Sequence, residues 1–341
     1  MNNDFFADCV EKHGFCFIAE ISNNHLVDLN RYLELIEAAH LSGAHAVKIQ
    51  TYSPSSLLAP SRLQDIVQEG PWKGQTYHDL YSGICAPKEW TGKLFDYASE
   101  RGIFLFSSPF SEDDVELLEK VNCPAYKIAS FEFTDVSLWT SIAKTSKPIL
   151  ASTGISSQEE ISRILTSDQF RHNCSVLFNC VSAYPSNLSM LNVDMFSQIS
   201  NYGAMVGLSD HSLTSDSSIF SYAFGARVFE KHFTLRRSDG GPDSQFSLEP
   251  AEVSAHIQKL KSCSQSTNLN SLKSRPGESY GRVTYAKDYI CQGEPFTPKN
   301  CGNFRPFKTG ASKAIDYFDL LKNLSKSAYS PGDFIKASEL E

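Results

Sequence analysis

Two histidines and two lysines stand in or at the end of short apolar runs, where strand ends could bring them together. His211 closes MVGLSDH and His232 lies within VFEKHFT, while Lys48 and Lys127 lie within AVKIQTY and YKIAS. A pair of imidazoles that leaves positions open for water and substrate suits a catalytic divalent metal. Two ammonium groups beside hydroxyls suit a phosphate and a carboxylate that are bound together. These residue types favour metal-assisted chemistry on an anionic substrate.

Further ionisable and hydroxyl side chains stand at equivalent places, in or just after the apolar runs. They are Glu20, Ser108, Ser130, Glu132, Ser152, Ser182, Tyr184, Asp210 and Lys231. Taken singly, a lysine can form a structural ion pair, a serine can end a turn and a histidine can be a satisfied core residue. Convergence on one rim favours the functional interpretation, because buried lysines beside serines are costly unless they meet a polyanion.

The glycine-rich stretch SDGGPD near residues 239–243 predicts a flexible loop beside these positions. Asp243 follows the glycines of that loop and can accept hydrogen bonds from sugar hydroxyls. A turn carboxylate or a helix N-cap is an equally good interpretation of Asp243.

Eight short runs rich in β-branched and aromatic residues must position these side chains. They span residues 15–22, 46–52, 104–110, 126–130, 148–153, 176–181, 205–211 and 228–234. Stretches with helical periodicity lie between them, and SSQEE has the Ser-x-x-Glu pattern of a capping box. Eight βα units over about 250 residues predict an α/β fold, a (β/α)8 TIM barrel, whose chemistry lies at the carboxyl ends of the strands. An open doubly wound sheet is the alternative, which the absence of a GxGxxG turn disfavours.

A change of pattern after residue 265 predicts a second, smaller domain. Residues 1–265 form the predicted barrel domain, which the helix EPAEVSAHIQKLKSCSQ closes. Residues 266–280 have the composition of a linker. Short strands and turns, in VTYAKDYICQGEPFT and SPGDFIKASELE, then predict a small domain over residues 281–341.

Composition excludes several classes of protein. The chain has 341 residues, of which 41% are apolar and 21% charged, with a net charge of −8. The acidic balance disfavours a general nucleic-acid binder, which needs a basic surface. Nine cysteines without CxxC spacing predict reduced thiols in a cytoplasmic protein. With no signal-peptide pattern and no long apolar run, we expect neither secretion nor contact with a membrane.

Longer motifs resemble those of the sialic acid synthase family in order and spacing, over essentially the whole chain. They are AEISNNH, SGAHAVKIQTY, FSSPF, YKIASFE, STG, CVSAYP, GLSDH and EKHFTLRRSDGGPDSQFSLEP. The insertion EGPWKGQTYHDLYSGICAPKEW after the second strand is similar to the pseudaminate branch of that family, and SFEFTD points the same way. The resemblance implies a TIM barrel followed by a small C-terminal antifreeze-like (SAF, β-clip) domain. It also implies a domain-swapped homodimer, in which that domain covers the active site of the other copy.

The resemblance further implies a role for each matched residue. Phosphoenolpyruvate would be bound by Lys48, Ser108, Lys127, Ser130, Ser152 and Ser182. The amino sugar would be bound by Glu20, Tyr184, Asp243 and Arg305. The catalytic groups would be Glu20, Lys48, Lys127 and Glu132. A divalent metal, Mn²⁺, Mg²⁺ or Co²⁺, would be bound by His211 and His232.

The implied reaction condenses phosphoenolpyruvate with 2,4-diacetamido-2,4,6-trideoxy-L-altrose and water, giving pseudaminic acid and phosphate. Three positions depart from the pattern of many relatives: Asn179 replaces a histidine, Ser182 replaces the asparagine of neuraminate synthases, and GRVTYAKD lacks an arginine pair. Ser182 fits the pseudaminate branch.

Three alternatives remain open. The first is the same chemistry on another sugar, as in N-acetylneuraminate or legionaminate synthases. The second is a metal-dependent hydrolase, which predicts more carboxylate ligands and no need for Lys48 and Lys127. The third is a carbohydrate-binding protein built on the small domain, which leaves the strand-end lysines and histidines without a purpose.

Overall fold

Eight parallel strands close into a barrel in the order of the sequence, with the last strand pairing with the first. The strands are β1 (Cys16–Glu20), β2 (Ala46–Thr51), β3 (Leu105–Pro109), β4 (Tyr126–Ile128), β5 (Ile149–Ser152), β6 (Cys174–Cys180), β7 (Met205–Asp210) and β8 (Val228–His232). Seven of them lie within the runs predicted from the sequence, and β6 begins two residues before its run, at Cys174. The predicted eight-stranded parallel barrel is confirmed.

The computed structural model describes residues 4–68, 73–265 and 277–340. These residues belong to two units, Met1–Ser266 and Thr267–Glu341, and the barrel lies in the first. Residues 69–72 of the insertion and residues 266–276 of the predicted linker lie outside the described ranges.

The segments that join the strands are mostly helical. The helices of this unit are α1 (Phe5–His13), α2 (Leu29–Leu41), α3 (Pro54–Leu57), α4 (Tyr77–Ser82), α5 (Thr91–Glu100), α6 (Glu112–Lys120), α7 (Val136–Ala143), α8 (Gln158–Leu165), α9 (Asp168–Arg171), α10 (Asp194–Ser200), α11 (Asp216–Ala223) and α12 (Pro250–Ser264). Helix α8 begins with the predicted capping box between Ser157 and Glu160. None of the helices in the described ranges is long and apolar enough to cross a membrane.

The strand register brings polar residues to one rim of an otherwise apolar barrel. Glu20, the last residue of β1, pairs in register with Lys48 of β2 and with His232 of β8. Side chains such as Phe106 and Phe178 are fully buried in the core. Because parallel strands end at the same rim, residues far apart in the sequence meet there.

The second unit has a short antiparallel pair, β9 (Val283–Ala286) and β10 (Cys301–Phe304), and helix α13 (Tyr317–Leu320). Single bridges, such as the one between Ile290 and Tyr329, join other segments. Its buried apolar residues are Ala286, Ile290, Phe296, Cys301, Leu320, Tyr329 and Ile335. They form a core distinct from that of the barrel.

Candidate active site

A cavity of about 430 Å³ opens among the carboxyl ends of the barrel strands. Most of the predicted site residues line it: Glu20, Lys48, Lys127, Ser130, Glu132, Ser152, Tyr184, His211, His232 and Asp243. Ser108 is buried next to it, where its hydroxyl accepts a hydrogen bond from Lys48 Nζ at 3.3 Å. Arg305 belongs to the second unit, where it is exposed directly after β10.

Two lysines and two glutamates form a buried, charge-balanced group in this cavity. Lys48 Nζ lies 2.5 Å from Glu20 Oε2 and 3.9 Å from Glu230 Oε1. Lys127 Nζ lies 3.3 Å from the same oxygen of Glu230. The sequence argument that the buried lysines need a polyanion is therefore wrong as it stands, because two carboxylates already offset their charge.

Glu230 also lines the cavity, and the sequence prediction missed it. Alternate residues of a strand face the same side, so Glu230 and His232 of β8 both face the interior. Ser209 of β7 also donates a hydrogen bond to Glu230 Oε1, at 3.2 Å. Lys231 faces the other way, with its ammonium group 2.8 Å from Asp210 Oδ2. Asp210 and Lys231 thus form a structural ion pair, and strand alternation is the signal that could have identified Glu230.

The paired charges set the protonation of the cavity. Burial alone would raise the pKa of Glu230, but Lys127 and Lys48 outweigh it and lower that pKa to about 2. Burial raises the pKa of Glu20, although Lys48 opposes the shift. Burial lowers the pKa of Lys127, although Glu230 opposes it. Glu230 is therefore a fixed negative charge, whereas Glu20 takes up a proton more readily than an exposed carboxylate does.

The hydroxyls of Ser130 and Ser182 both lie close to Gly154; Ser130 lines the cavity, whereas Ser182 does not. A side chain at Gly154 would overlap the hydroxyls of both Ser130 and Ser182, so the glycine leaves them room. Among the described residues, the hydroxyls of Ser152 and Ser182 are buried without a hydrogen-bond partner. Such groups are costly unless a ligand or water satisfies them. Ser152 lines the cavity together with Lys127, so its hydroxyl suits an oxygen of a bound anion.

The two histidines lie side by side, with their ring centroids 5.3 Å apart. His211 Nδ1 is 2.8 Å from Val181 O; since a carbonyl only accepts, Nδ1 carries the proton and Nε2 keeps its lone pair. Within the described ranges, His232 Nδ1 is buried and lacks a hydrogen-bond partner. Burial lowers the pKa of His211 to about 3 and that of His232 to about 4. Two neutral imidazoles, one of them oriented by a carbonyl, fit a divalent metal ion.

A second group of side chains that could bind a metal lies at the other end of β1. The ligand atoms of Cys9, Cys16 and His45 lie within 4.8 Å of one another. However, the backbone N–H of Phe17 donates to His45 Nδ1 at 2.9 Å, so Nε2 of this neutral imidazole carries the proton. His45 therefore has no lone pair left for a metal, and both cysteines are free thiols.

Glu132 is a carboxyl group with an unusual environment. It ends a 3-10 turn, Ser130–Glu132, after β4 and lines the cavity. Burial raises its pKa to about 7. Its Oε2 atom has no hydrogen-bond partner in the described part of the chain. A carboxyl group that titrates near neutral pH can exchange protons with a substrate.

Asp243 is held by the loop that follows β1. Ser22 Oγ donates to Asp243 Oδ2, and the backbone N–H of Asn23 donates to the same oxygen at 3.2 Å. Asp243 occupies the N-cap position of the 3-10 turn Ser244–Phe246, as one interpretation of the sequence predicted, but its side chain makes no capping hydrogen bond there. Tyr184 completes this wall, with its ring centroid 4.2 Å from that of His211.

Comparison with known proteins places the chain among sugar-biosynthesis enzymes. A profile described as the NeuB family matches residues 35–270. Pseudaminic acid synthase from Campylobacter jejuni subsp. jejuni serotype O:23/36 (strain 81-176) is 36% identical over 324 residues, covering 89% of this chain and 94% of that protein. Pseudaminic acid synthase from Helicobacter pylori (strain ATCC 700392 / 26695) is 35% identical, covering 85% and 87%.

A solved structure agrees with the fold. The crystal structure of a putative spore coat polysaccharide biosynthesis protein E from Chromobacterium violaceum ATCC 12472 has a TM-score of 0.77 against this chain. The two are 24% identical, and the match covers 96% of this chain and 99% of that one. At this identity the likeness supports the fold alone.

Proposed function

The chain belongs to the NeuB family, and on this basis we propose that it catalyses the pseudaminic acid synthase reaction. In that reaction phosphoenolpyruvate condenses with 2,4-diacetamido-2,4,6-trideoxy-L-altrose and water to give pseudaminic acid and phosphate. The Campylobacter and Helicobacter relatives of that name match over most of their length. The observation that carries the proposal is a single cavity lined by two lysines, several hydroxyl groups and two neutral imidazoles.

Phosphoenolpyruvate is proposed to bind beside Lys48 and Lys127 of this cavity. Its phosphate and carboxylate need several donors, which Lys48, Lys127, Ser108, Ser130, Ser152 and Ser182 can supply. Since the lysines already have carboxylate partners, binding must exchange those partners. Glu20 suits this exchange because its raised pKa lets it leave Lys48 and turn to a sugar hydroxyl.

The proposed chemistry forms one carbon–carbon bond and one carbon–oxygen bond, and it breaks the carbon–oxygen bond to the phosphate. C3 of phosphoenolpyruvate attacks the aldehyde carbon, water adds at C2, and the bond between C2 and the phosphate oxygen then breaks. One proton of the water passes to the former aldehyde oxygen and the other leaves with the phosphate. Glu132, with a pKa of about 7, is the proposed proton carrier. Lys48 and Lys127 stabilise the negative charge, and juxtaposition of the reactants contributes up to roughly 7–11 kcal/mol.

His211 and His232 are the proposed ligands of a divalent metal, Mn²⁺, Mg²⁺ or Co²⁺. Bound there, the ion would polarise the aldehyde oxygen as a Lewis acid. Their fit rests on lowered pKa values, which leave both rings neutral as metal ligands must be.

We also propose that residues 281–341 form the antifreeze-like domain, joined to the barrel domain (1–265) by a linker at 266–280. The corresponding assembly is a domain-swapped homodimer in which Arg305 of one copy contacts the sugar bound by the other. The exposure of Arg305 on its own unit leaves its guanidinium group available for such a contact.

The alternatives predict different sites. A metal-dependent hydrolase would use carboxylates as ligands, whereas Glu20 and Glu230 contact ammonium groups. N-acetylneuraminate and legionaminate synthases differ in the sugar, which the choice of substrate in an assay resolves.

The test is incubation with phosphoenolpyruvate, Mn²⁺ and one of three sugars: the trideoxy altrose, N-acetylmannosamine or the legionaminic precursor. We expect phosphate release with the trideoxy altrose, and a nonulosonic acid of matching mass in the mass spectrum. Preferred turnover of either other sugar would replace the proposal with that synthase. No phosphate release with any of the three would refute it.

A further inference from the structure

A second cavity of about 710 Å³ adjoins the active-site cavity, and we call it the outer chamber. Three residues, Ile84, Tyr184 and Asp243, line both cavities. The other walls of the outer chamber include Pro185, Pro242 and Phe246. Because the two cavities share a wall, a molecule that reacts at the histidines can extend into the outer chamber.

The outer chamber differs chemically from the cavity beside it. Among the described residues, its lining includes one carboxylate, Asp243, and no lysine, arginine or histidine. Tyr184 and Gln245 are its remaining polar side chains, and the rest of the wall is apolar or glycine. A hydroxyl group placed against the apolar part would leave water without gaining a partner, which is costly.

Phe246 connects the outer chamber to the proposed metal ligands. Its ring centroid lies 5.0 Å from that of His232 and 5.1 Å from that of Tyr184. The ring is buried, so its position is set by packing. A sugar whose aldehyde oxygen faces the histidines can therefore direct its other carbons along these aromatic rings.

Ile84 belongs to the insertion between β2 and β3. It follows helix α4, and its backbone N–H donates to Tyr81 O at 3.3 Å. Tyr81 lines the active-site cavity. Its ring is stacked on that of Tyr77, with the centroids 6.4 Å apart. The insertion thus supplies one aliphatic side chain where the two cavities meet.

We infer that the outer chamber binds the methyl-bearing groups of the sugar, and that Ile84 selects a 6-deoxy sugar over one with a hydroxyl at that carbon. This inference rests on the proposed function, whose sugar has a C6 methyl group and two acetamido groups. A methyl group against Ile84 and Phe246 buries apolar surface, while a hydroxyl there loses hydrogen bonds to water. Apolar pockets discriminate at this level by roughly 10- to 100-fold in kcat/KM.

The experiment compares two sugars that differ by one oxygen atom. They are 2,4-diacetamido-2,4,6-trideoxy-L-altrose and its counterpart with a hydroxyl at C6, assayed by phosphate release from phosphoenolpyruvate. We expect wild type to prefer the 6-deoxy sugar by at least roughly 10-fold, and Ile84→Asn to reduce that preference to below about 3-fold. The KM for phosphoenolpyruvate should stay the same, because the aliphatic side chain of Ile84 offers no hydrogen-bond donor to the phosphate or the carboxylate.

Ile66→Asn is the matched control, since Ile66 is an exposed isoleucine that lies just before the insertion, between β2 and β3, and lines neither cavity. It should keep the wild-type preference. An unchanged preference in Ile84→Asn, or an equal loss in Ile66→Asn, would overturn the role of Ile84. Equal turnover of both sugars by wild type would overturn the chamber inference alone. Turnover of neither sugar would refute the proposed function and the inference with it.

Discussion

Lys127 Nζ lies 3.3 Å from Glu230 Oε1, and both side chains are buried inside the barrel. Lys48 approaches the same oxygen at 3.9 Å, so one carboxylate faces two ammonium groups. The net charge of this part of the cavity therefore depends on Glu230, whose pKa the two lysines hold at about 2. An anionic substrate and Glu230 would stabilise the same two cations.

This arrangement predicts how Glu230→Gln affects stability. Breaking a buried pair leaves a charge uncompensated, so we expect the ligand-free variant to lose about 3 kcal/mol in free energy of unfolding. Phosphoenolpyruvate should then raise the Tm of the variant more than that of wild type, because it replaces the missing charge. Urea unfolding and scanning fluorimetry measure the two quantities.

Asp168→Asn is the control for Glu230→Gln, because it breaks an exposed pair with Arg171. It should cost less than about 1 kcal/mol. If phosphoenolpyruvate shifted the Tm of wild type and of Glu230→Gln equally, it would not stabilise the same two lysines as Glu230 does.

Lys127→Met keeps most of the side-chain volume and removes the charge. We expect kcat for phosphate release to fall by roughly 100-fold or more, because a buried donor aimed at developing negative charge is lost. Lys120→Met, at the exposed end of α6, makes the same replacement away from the cavity and should leave kcat unchanged. Near-normal turnover by Lys127→Met would remove Lys127 from the proposed mechanism.

His232→Ala tests the metal site. Loss of a residue that merely orients a ligand costs about 10- to 100-fold in metal affinity, so loss of a direct ligand should cost at least 100-fold. Titration calorimetry with Mn²⁺ measures this without reference to turnover. His172→Ala, an exposed histidine after α9, is the matched control. Equal Mn²⁺ affinity in His232→Ala and wild type would rule out ligation by His232.

The fold was predictable because each barrel strand is a short run that is apolar enough to be buried on both faces. The ends of those runs also identified the rim, since all parallel strands of a barrel end there. The pairing of Lys48 and Lys127 with Glu230 was not predictable from position alone, because it depends on which strands are close across the barrel. The alternation in VFEKH did contain the information that Glu230 faces inward and Lys231 outward.

The environment of individual carboxyl groups could not be predicted from the sequence either. The contacts of Asp243 with Ser22 and Asn23 depend on the packing of the loop after β1 against a distant segment. The shape of the outer chamber depends on Ile84 and Phe246, two lining residues from distant segments. Such contacts come from the packing of loops, for which periodicity gives no signal.

The raised pKa of Glu132 predicts a pH dependence with a definite sign. Burial raises this pKa from 4.5 to about 7. As a proton acceptor Glu132 must be ionised, so kcat/KM should rise with pH and level off above about 7. Glu132→Gln should lose this inflection, and its kcat/KM at pH 8 should be lower than that of wild type by roughly 100-fold or more.

The free energy of unfolding should change with pH in the opposite sense, because the folded state binds the Glu132 proton more tightly than the unfolded state does. The stabilisation that this proton provides is present below pH 4.5 and is lost as the pH rises through 7. Glu132→Gln should therefore have a higher Tm than wild type at pH 8, whereas Glu159→Gln on the surface of α8 should change neither quantity. A pH–rate profile with the same inflection in wild type and Glu132→Gln would assign that titration to another group.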